Sequence, residues 1–474
     1  MTIDSAAIAG MKVTVMGLGI NGGGLASALF FARRGAEVTV TDLRTREILQ
    51  SSIDSLQEVP VRFVLERHAE ADFTGADLVI KNPAVPPASP YLQAARRSGV
   101  PIETDLSVFL SLARSPLLAV TGSKGKSTTA SAIAFGLTRA FPGARLGGNI
   151  TVSPLTFLDE LGPGTPVVLE LSSWQLGDLK GRGLLAPAVS AFTVILPDHL
   201  DRYPGMAEYV ADKKAIFEEQ GPGQKAVFNL DDPWQRDFPR ETRAQSFHYS
   251  GRRLPRGSAG AWLEEERGIC RLATGDTGEM LLEAAQLPGV HNRMNLLCAG
   301  LALRLFGVEA GVVRAALAAF PGVEHRLEMF RQWKGIRFYN DSAATIPQAT
   351  AQALKALPAP VVLIAGGTDK NIDFSPLAEA ARAPRAIVLL AGTGTEKIRS
   401  VLDAQGILYE GPLGTLREAV EAGIAHAAAL AGDGWTSILF SPGCTSFGMF
   451  ANEFDRGRKF KEIVTALTPP ESFP

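Results

Sequence analysis

Residues 117–128 read LLAVTGSKGKST: an apolar strand signal that runs without a break into a glycine- and lysine-rich turn and then into a helix. In such a turn the backbone N–H groups point inward and can bind phosphate oxygens. The helix N-terminus adds the positive end of its dipole. Within Gly122-Ser123-Lys124-Gly125-Lys126-Ser127-Thr128, Lys126 is placed to neutralise β- and γ-phosphates and the Ser127 hydroxyl suits Mg²⁺. Only Ser123 and Lys124 separate the two glycines, a tighter loop than the usual P-loop. A strand–phosphate loop–helix unit predicts an α/β domain around a parallel sheet.

Downstream, strand signals recur at 166–170 (PVVLE), 190–195 (SAFTVI) and 225–229 (KAVFN). The first ends in Glu170, followed by Leu-Ser172-Ser-Trp-Gln175. A carboxylate at the C-terminal end of such a strand faces the ligand crevice and can hold Mg²⁺; capping is the competing reading. After SAFTVI comes Asp198-His199-Leu-Asp201-Arg202, where the His199 imidazole could ligate metal or orient a phosphate. Lys213 and Lys214 are adjacent on a helix and by themselves read as a solvated face. Residues 296–319 read as one alanine- and leucine-rich helix, and 249–287 carry short strand signals with no visible chemistry.

Upstream, KVTVM (12–16), a glycine cluster, a helix near 22–34 and EVTVT (37–41) make a β-loop-α-β unit, with further strand signals at 77–80 and 100–103. Gly17-Leu18-Gly19-Ile-Asn-Gly22, with Asp42 about twenty residues on, matches the dinucleotide fingerprint. It fits either a nicotinamide cofactor or a nucleotide diphosphate on a helix N-terminus. Beyond residue 320, the texture changes at FPGVEHRLE, which reads as a hinge over Pro321–His325 into a third α/β region. Strands are predicted there at 361–365, 386–391 and 437–440. Clusters at strand ends or turns include His325-Arg326, Asn340-Asp341-Ser342, Gly366 to Lys370 and Ser441 to Ser446.

At 474 residues the chain has room for about three domains. The expected bounds are 1–112, 113–320 and 321–474: Rossmann-like, P-loop mononucleotide-binding with a parallel sheet, and Rossmann-like again. A net charge of −2 gives no basic face, so nucleic acid is not an expected partner, and an anionic substrate must be held by local groups. Three cysteines make no disulfide framework and no zinc spacing. No apolar stretch reaches a membrane span, so no membrane insertion is expected and the cytoplasm is the expected location.

Taken in order, GSKGKST, LELSSWQL, DHLDRY, YVADKKAIF, HNRMN, HRLE and YNDS resemble the Mur ligase family, whose members use ATP to join an amino acid to a UDP-linked muramoyl peptide. The likeness spans essentially the whole chain. LELSSWQL and DHLDRYPG are most similar to the branch that adds glutamate to UDP-N-acetylmuramoyl-L-alanine. The resemblance implies that Leu18, Gly19, Asp42 and Arg44 hold the UDP end, and that Asn149, Ser172 and Gln175 line the muramoyl part. It implies ATP and Mg²⁺ on Lys126, Ser127 and Thr128, with Glu170 and His199 as magnesium ligands. Lys213 matches the lysine that family members carbamylate, which would give a further anionic metal ligand. Asn292 and Asn295 would flank adenine, Arg326 and Asp341 would reach ATP, and Thr345, Lys370 and Ser446 would hold the amino acid.

Two positions depart from that pattern. Ala343 stands where D-glutamate enzymes typically carry lysine, and Glu453 stands where an aromatic residue is expected, with Phe454 after it. D-glutamate is the expected substrate, with L-glutamate on the same acceptor as the alternative. The expected reaction passes through an acyl phosphate, in a monomer. A folate-adding ligase, a dehydrogenase and a non-catalytic nucleotide-binding module are the rival readings.

Overall fold

The structure, a computed structural model, describes residues 7–469 apart from 20–21, 151, 199–202, 274–277, 284–286, 359, 370–372, 431, 433 and 447. His199 and Lys370 therefore lie outside the described residues. The chain forms two compact units. One comprises residues 1–284 and 294–318, and the other residues 285–293 and 319–474.

The first unit holds two sheets. Strands β1 (Lys12–Met16), β2 (Glu37–Asp42), β3 (Val61–Leu65), β4 (Leu78–Lys81) and β5 (Ile102–Glu103) form an all-parallel sheet in the order β3-β2-β1-β4-β5. The order reverses beside β1, which opens a crevice at the strand C-termini between β1 and β4. The second sheet contains β6 (Leu117–Thr121), β7 (Arg145–Gly148), β8 (Val167–Glu170), β9 (Val189–Phe192), β10 (Lys225–Asn229), β11 (Gln245–Ser250), β12 (Gly260–Glu264), β13 (Arg267–Arg271) and β14 (Glu279–Leu282). Its order is β14-β13-β12-β11-β10-β9-β6-β8-β7. Its strands β6 and β8 to β10 are buried almost throughout, as the near-continuous apolar runs of a parallel sheet require. The 249–287 stretch turns out to extend this sheet through an antiparallel edge, β12 to β14.

The second unit holds β15 (Glu328–Trp333), β16 (Ile336–Asn340), β17 (Val361–Ala365), β18 (Ala386–Leu390), β19 (Glu410–Leu413) and β20 (Thr436–Phe440), in the order β15-β16-β20-β17-β18-β19. All pairs are parallel except β15 with β16. The loops after β16, β17 and β20 thus emerge at one end of the sheet. They carry Asp341, Gly366 and Ser441.

One expectation needs correction. The predicted helix over 296–319 is two helices, Val290–Phe306 and Ala310–Ala319, broken at Gly307, whose φ of +106° no helix accepts. The expected hinge over Pro321–His325 lies within the second unit. His325 is buried and its carbonyl accepts from Ala343 N at 3.0 Å, which fastens it to the second unit.

Candidate active site

The phosphate loop leaves β6 and enters the helix Lys126–Ala140 through Gly125, a left-handed N-cap with no side-chain cap. That leaves the first N–H groups of the helix to be satisfied by another acceptor, and a phosphate is the natural one. Glycine is required at two points. A Cβ on Gly122 (φ +144°) would stand 1.9 Å from Thr193 Oγ1, and one on Gly125 (φ +88°) 2.3 Å from Asn295 Oδ1. Asn295 therefore packs on the loop itself. Lys126 Nζ donates to the Ser123 carbonyl at 3.0 Å, folded back along the loop. Ser127 and Thr128 are half-buried in the first turn of the helix. The Ser123 hydroxyl has a structural part: it bonds Leu196 O, Leu196 N and Tyr209 Oη at 2.9 Å each. Lys124 is exposed and pairs with Asp198 at 3.4 Å.

Glu170 ends β8, the strand beside β6, and is 1% exposed. Its Oε1 accepts from Asn149 Nδ2 at 3.0 Å, while its Oε2 is buried with no hydrogen-bond partner. A buried carboxylate oxygen without a donor costs several kcal/mol, on the order of 1–3 even for milder groups. A divalent cation beside the phosphate loop would remove that cost, so the donor set here fits Mg²⁺.

Lys213 overturns the reading of its pair as a solvated face. It is 1% exposed, its Nζ donates to the Gly122 carbonyl at 2.8 Å, and it lies over the Tyr209 ring at 4.5 Å. Burial, and then the neighbouring Lys126 cation, push its pKa well below the usual lysine range. Burial thus favours the uncharged amine, the nucleophilic form of lysine. Lys214, one residue on, is ion-paired with Glu241 at 2.6 Å.

A cavity of about 720 Å³ opens at the reversal of the first sheet and continues to the second. Gly17, Gly19, Asp42, Leu43, Arg44, His68 and Tyr91 line one end, and Asn149, Ser172 and Gln175 the other. Both Asp42 oxygens serve the backbone: Oδ2 accepts from Gly19 N at 3.1 Å and Oδ1 from Arg44 N at 3.0 Å. The Leu18 side chain is buried in the apolar core. Ser172 and Gln175 form a capping box on the helix Ser173–Leu179. Asn149 links the two centres, since it lines the cavity and also holds Glu170.

In the second unit, Asp341 is buried and fully engaged. Oδ1 accepts from Leu327 N at 3.0 Å and Oδ2 from Ser441 Oγ at 2.7 Å. Burial raises its pKa to about 7. Arg326 is exposed between two residues of left-handed backbone, His325 (φ +64°) and Leu327 (φ +46°). Asn292 is buried and donates to Pro288 O at 2.8 Å. The loops bearing Thr345 and Ser446 are joined by Gly443 N to Ala344 O, 2.9 Å, and by a buried guanidinium. Arg456 donates to Ser342 O at 2.8 Å and Cys444 O at 3.0 Å, and burial lowers its pKa to about 10. Glu453 meets this group through its backbone, its carbonyl accepting from Ser342 Oγ at 2.7 Å. Glu324, His325 and Glu328 bring ligand atoms within 4.8 Å of one another, but Lys461 Nζ already lies 3.0 and 2.6 Å from the two carboxylates.

Comparison with known proteins agrees with this arrangement. Residues 11–104 match the Mur ligase MurD-like N-terminal domain and residues 120–303 the Mur ligase middle domain. The UDP-N-acetylmuramoylalanine–D-glutamate ligase of Roseiflexus sp. (strain RS-1) is 41% identical over 477 residues, covering 97% of this chain and 100% of its own. The chain belongs to the Mur ligase family. The ligase of the same name from Treponema pallidum is 39% identical, over 98% and 99% of the two chains. Among solved structures, the UDP-N-acetylmuramate-alanine ligase of Thermotoga maritima shares the fold of this Mur ligase at TM-score 0.61 and 21% identity, over 97% and 100% of the chains. A pseudomurein peptide ligase type C from Methanothermus fervidus does so at 0.55 and 17%, over 97% and 100%.

Residues that sequence reasoning left out of the site are now visible. Tyr209 supports both Ser123 and Lys213, and burial raises its phenol to about 12. His68 and Tyr91 line the cavity, and Arg456 ties two loops of the second unit. A lone histidine in a polar stretch and an arginine within DRGRKF carry no signal of burial. Among the described residues, no helix is long and apolar enough to cross a membrane.

Proposed function

We infer that this Mur ligase uses ATP to join D-glutamate to UDP-N-acetylmuramoyl-L-alanine in peptidoglycan precursor synthesis. Relatives of that name, matched end to end at 36–41% identity, support the substrate pair over the L-glutamate alternative. The observation that carries the chemistry is Asn149, which lines the long cavity while holding the Glu170 carboxylate beside the phosphate loop. That juxtaposition supports a reading in which the far end of a cavity-bound substrate lies next to the phosphates of ATP.

In the reaction, the alanyl carboxylate attacks the γ-phosphorus of ATP, giving an acyl phosphate and ADP. The glutamate amine then attacks the acyl carbon and phosphate leaves. Both partners in the first step are anions, so charge neutralisation and positioning set the rate. Lys126 and the N–H groups of Gly125 to Thr128 hold the phosphates. Glu170, Ser127, His199 and a carbamate on Lys213 would hold Mg²⁺, which when bound neutralises charge on the phosphoryl oxygens. The buried setting of Lys213, which lowers its pKa, favours carbamate formation. The three segments 1–112, 113–320 and 321–474 would serve the UDP substrate, ATP and the amino acid in turn. Asn292, Asn295, Arg326 and Asp341 would belong to the ATP side, and Thr345, Lys370 and Ser446 to the glutamate. The enzyme would act as a cytoplasmic monomer.

The test is phosphate release from ATP with UDP-N-acetylmuramoyl-L-alanine and a panel of D- and L-amino acids. Turnover dependent on the nucleotide substrate and on D-glutamate is expected. Turnover with L-glutamate alone would replace the substrate, and ATP hydrolysis indifferent to both would remove the ligase reading.

A further inference from the structure

The helix Ser173–Leu179 joins two parts of the first unit. At its N-terminal end, Ser172 and Gln175 line the second-sheet end of the cavity and cap the helix through each other. Its C-terminal end is tied to the first sheet. Lys81, the last residue of β4, has its Nζ 2.7 Å from Asp178 Oδ2. Arg182, three residues beyond the helix, donates through Nη2 to both oxygens of Glu103, the last residue of β5, at 2.5 and 2.7 Å. Lys81 is 5% exposed and Glu103 4%. Ions withdrawn from water this far resist separation, because breaking the pair strands a buried charge.

The two pairs leave neighbouring strand ends of one sheet and land on one short element beside the other. β4 lies next to β1 at the crevice, with Lys81 in register with Met16. Asn82, the next residue, lines the cavity and its N–H donates to the Met16 carbonyl at 3.0 Å. Lys81 is thus fixed to the first-sheet wall. From Asp178 back to Gln175 is three residues, about 4.5 Å along a helix axis. The second-sheet wall is therefore held, within one helical turn, by a charge rooted in the opposite wall.

We propose that Lys81 and Asp178 are positioning residues of this ligase: their ion pair, backed by Arg182 and Glu103, sets the separation of the two cavity walls at which a ligand spanning them delivers its far end to the phosphate loop. The proposal rests on the reading of this cavity as the UDP-muramoyl site. A substrate that fills both ends senses the separation, whereas a nucleotide that fills only the first-sheet end does not. Two binding ends joined in one molecule reinforce each other only where the geometry lets both engage. The reacting carboxylate is more demanding still, since a misplacement of about 1 Å can cost on the order of a hundredfold in rate.

The experiment uses the full-length enzyme as wild type, Lys81→Met, Asp178→Asn and the double variant, with UDP and UDP-N-acetylmuramoyl-L-alanine as probes. Burial already raises the Asp178 carboxyl above its ordinary range against the pull of Lys81. In Lys81→Met it can therefore take up a proton rather than remain a buried unpaired ion. Each single variant should bind UDP in the calorimeter as the wild type does. Its KM for the muramoyl substrate should rise about tenfold and its kcat fall about tenfold or more, with KM for ATP unchanged. The double variant should be no worse than either single one, because the two residues act as one pair. Unchanged KM and kcat in a folded variant overturn the proposal. So does an equal loss of UDP and substrate binding, which marks general damage to the first sheet, and so do losses that multiply in the double variant. Where circular dichroism shows Lys81→Met unfolded, Arg182→Gln tests the same seam at a side chain 25% exposed; a smaller loss of the same pattern is expected, and wild-type constants overturn the proposal. Failure of the ligase reading would look different, as ADP release by the wild type that is indifferent to the muramoyl substrate.

Discussion

Gly457 lies inside the helix Glu453–Leu467, and helix propensity alone says that alanine would serve better there by about 0.8–1.0 kcal/mol. The structure predicts the opposite sign. A Cβ at 457 would stand 2.2 Å from His325 Nδ1 and 2.7 Å from Cε1. His325 has little freedom to move. It is buried, its Nδ1 is 2.8 Å from Asn340 Nδ2, its φ is +64°, and its carbonyl is bonded to Ala343 N. Overpacking costs roughly 1–3 kcal/mol, and losing the His325–Asn340 bond about 0.5–1.5 kcal/mol. Set against the propensity gain, Gly457→Ala should destabilise the second unit by about 1–3 kcal/mol, some 2–4 °C per kcal/mol for a domain of this size. The assay is urea unfolding of the full chain as a double-mutant cycle with His325→Ala. With the imidazole gone the Cβ has space, so alanine at 457 should stabilise by up to about 1 kcal/mol in that background. Equal or greater stability of Gly457→Ala in the wild-type background would refute the steric argument.

Three further outcomes are expected. Lys126→Ala should lower kcat by at least about a hundredfold in a chain whose circular dichroism is unchanged, since it removes a preorganised cation from the transferring phosphate; near-normal turnover would end the phosphate-loop assignment. Lys213→Ala should lose both activity and a ¹³C carbamate resonance from labelled bicarbonate, with partial recovery in acetate; a resonance that persists in the variant would place the carbamate elsewhere. Asp341 has a folded pKa raised to about 7 from 3.8, so the fold binds its proton more tightly than the unfolded chain does. Its contribution is fully present below about pH 4 and is lost as pH rises through 7, at most about 4 kcal/mol; Asp341→Asn should flatten that part of the stability curve, and an unchanged slope would refute it.

The sequence made the sheets legible where strands are buried on both faces, because β6, β8 and β10 have no polar residue to interrupt the apolar run. It showed the half-buried strands only as short signals or not at all. Val61–Leu65 alternates with Arg62 at an edge, and β12 to β14 form an antiparallel margin whose outer positions are charged. The phosphate loop was readable because its glycines answer to local demands, a left-handed N-cap and a close approach to Thr193. Lys213 was not, and the reason is general. A lysine pair on a helix shows which residues are cationic, whereas burial depends on the loop that the sheet brings from 91 residues away to accept its Nζ hydrogen bond. The same holds for Arg456, which donates to the carbonyls of residues 342 and 444 and to the Ser342 hydroxyl, all more than ten residues away in the chain. Asp42 is the reverse case. Its position at the end of β2 puts it on the cavity wall, and there its carboxylate accepts from the backbone of Gly19 and Arg44. Spacing tells where a strand ends and which crevice a side chain faces, and the hydrogen-bond partners decide whether that side chain is left to meet a substrate. On that ground Glu170, with one oxygen held by Asn149 and the other unpartnered, is the stronger candidate for metal than any residue in the chain's more conspicuous Glu324–Glu328 cluster, where Lys461 already supplies the positive charge.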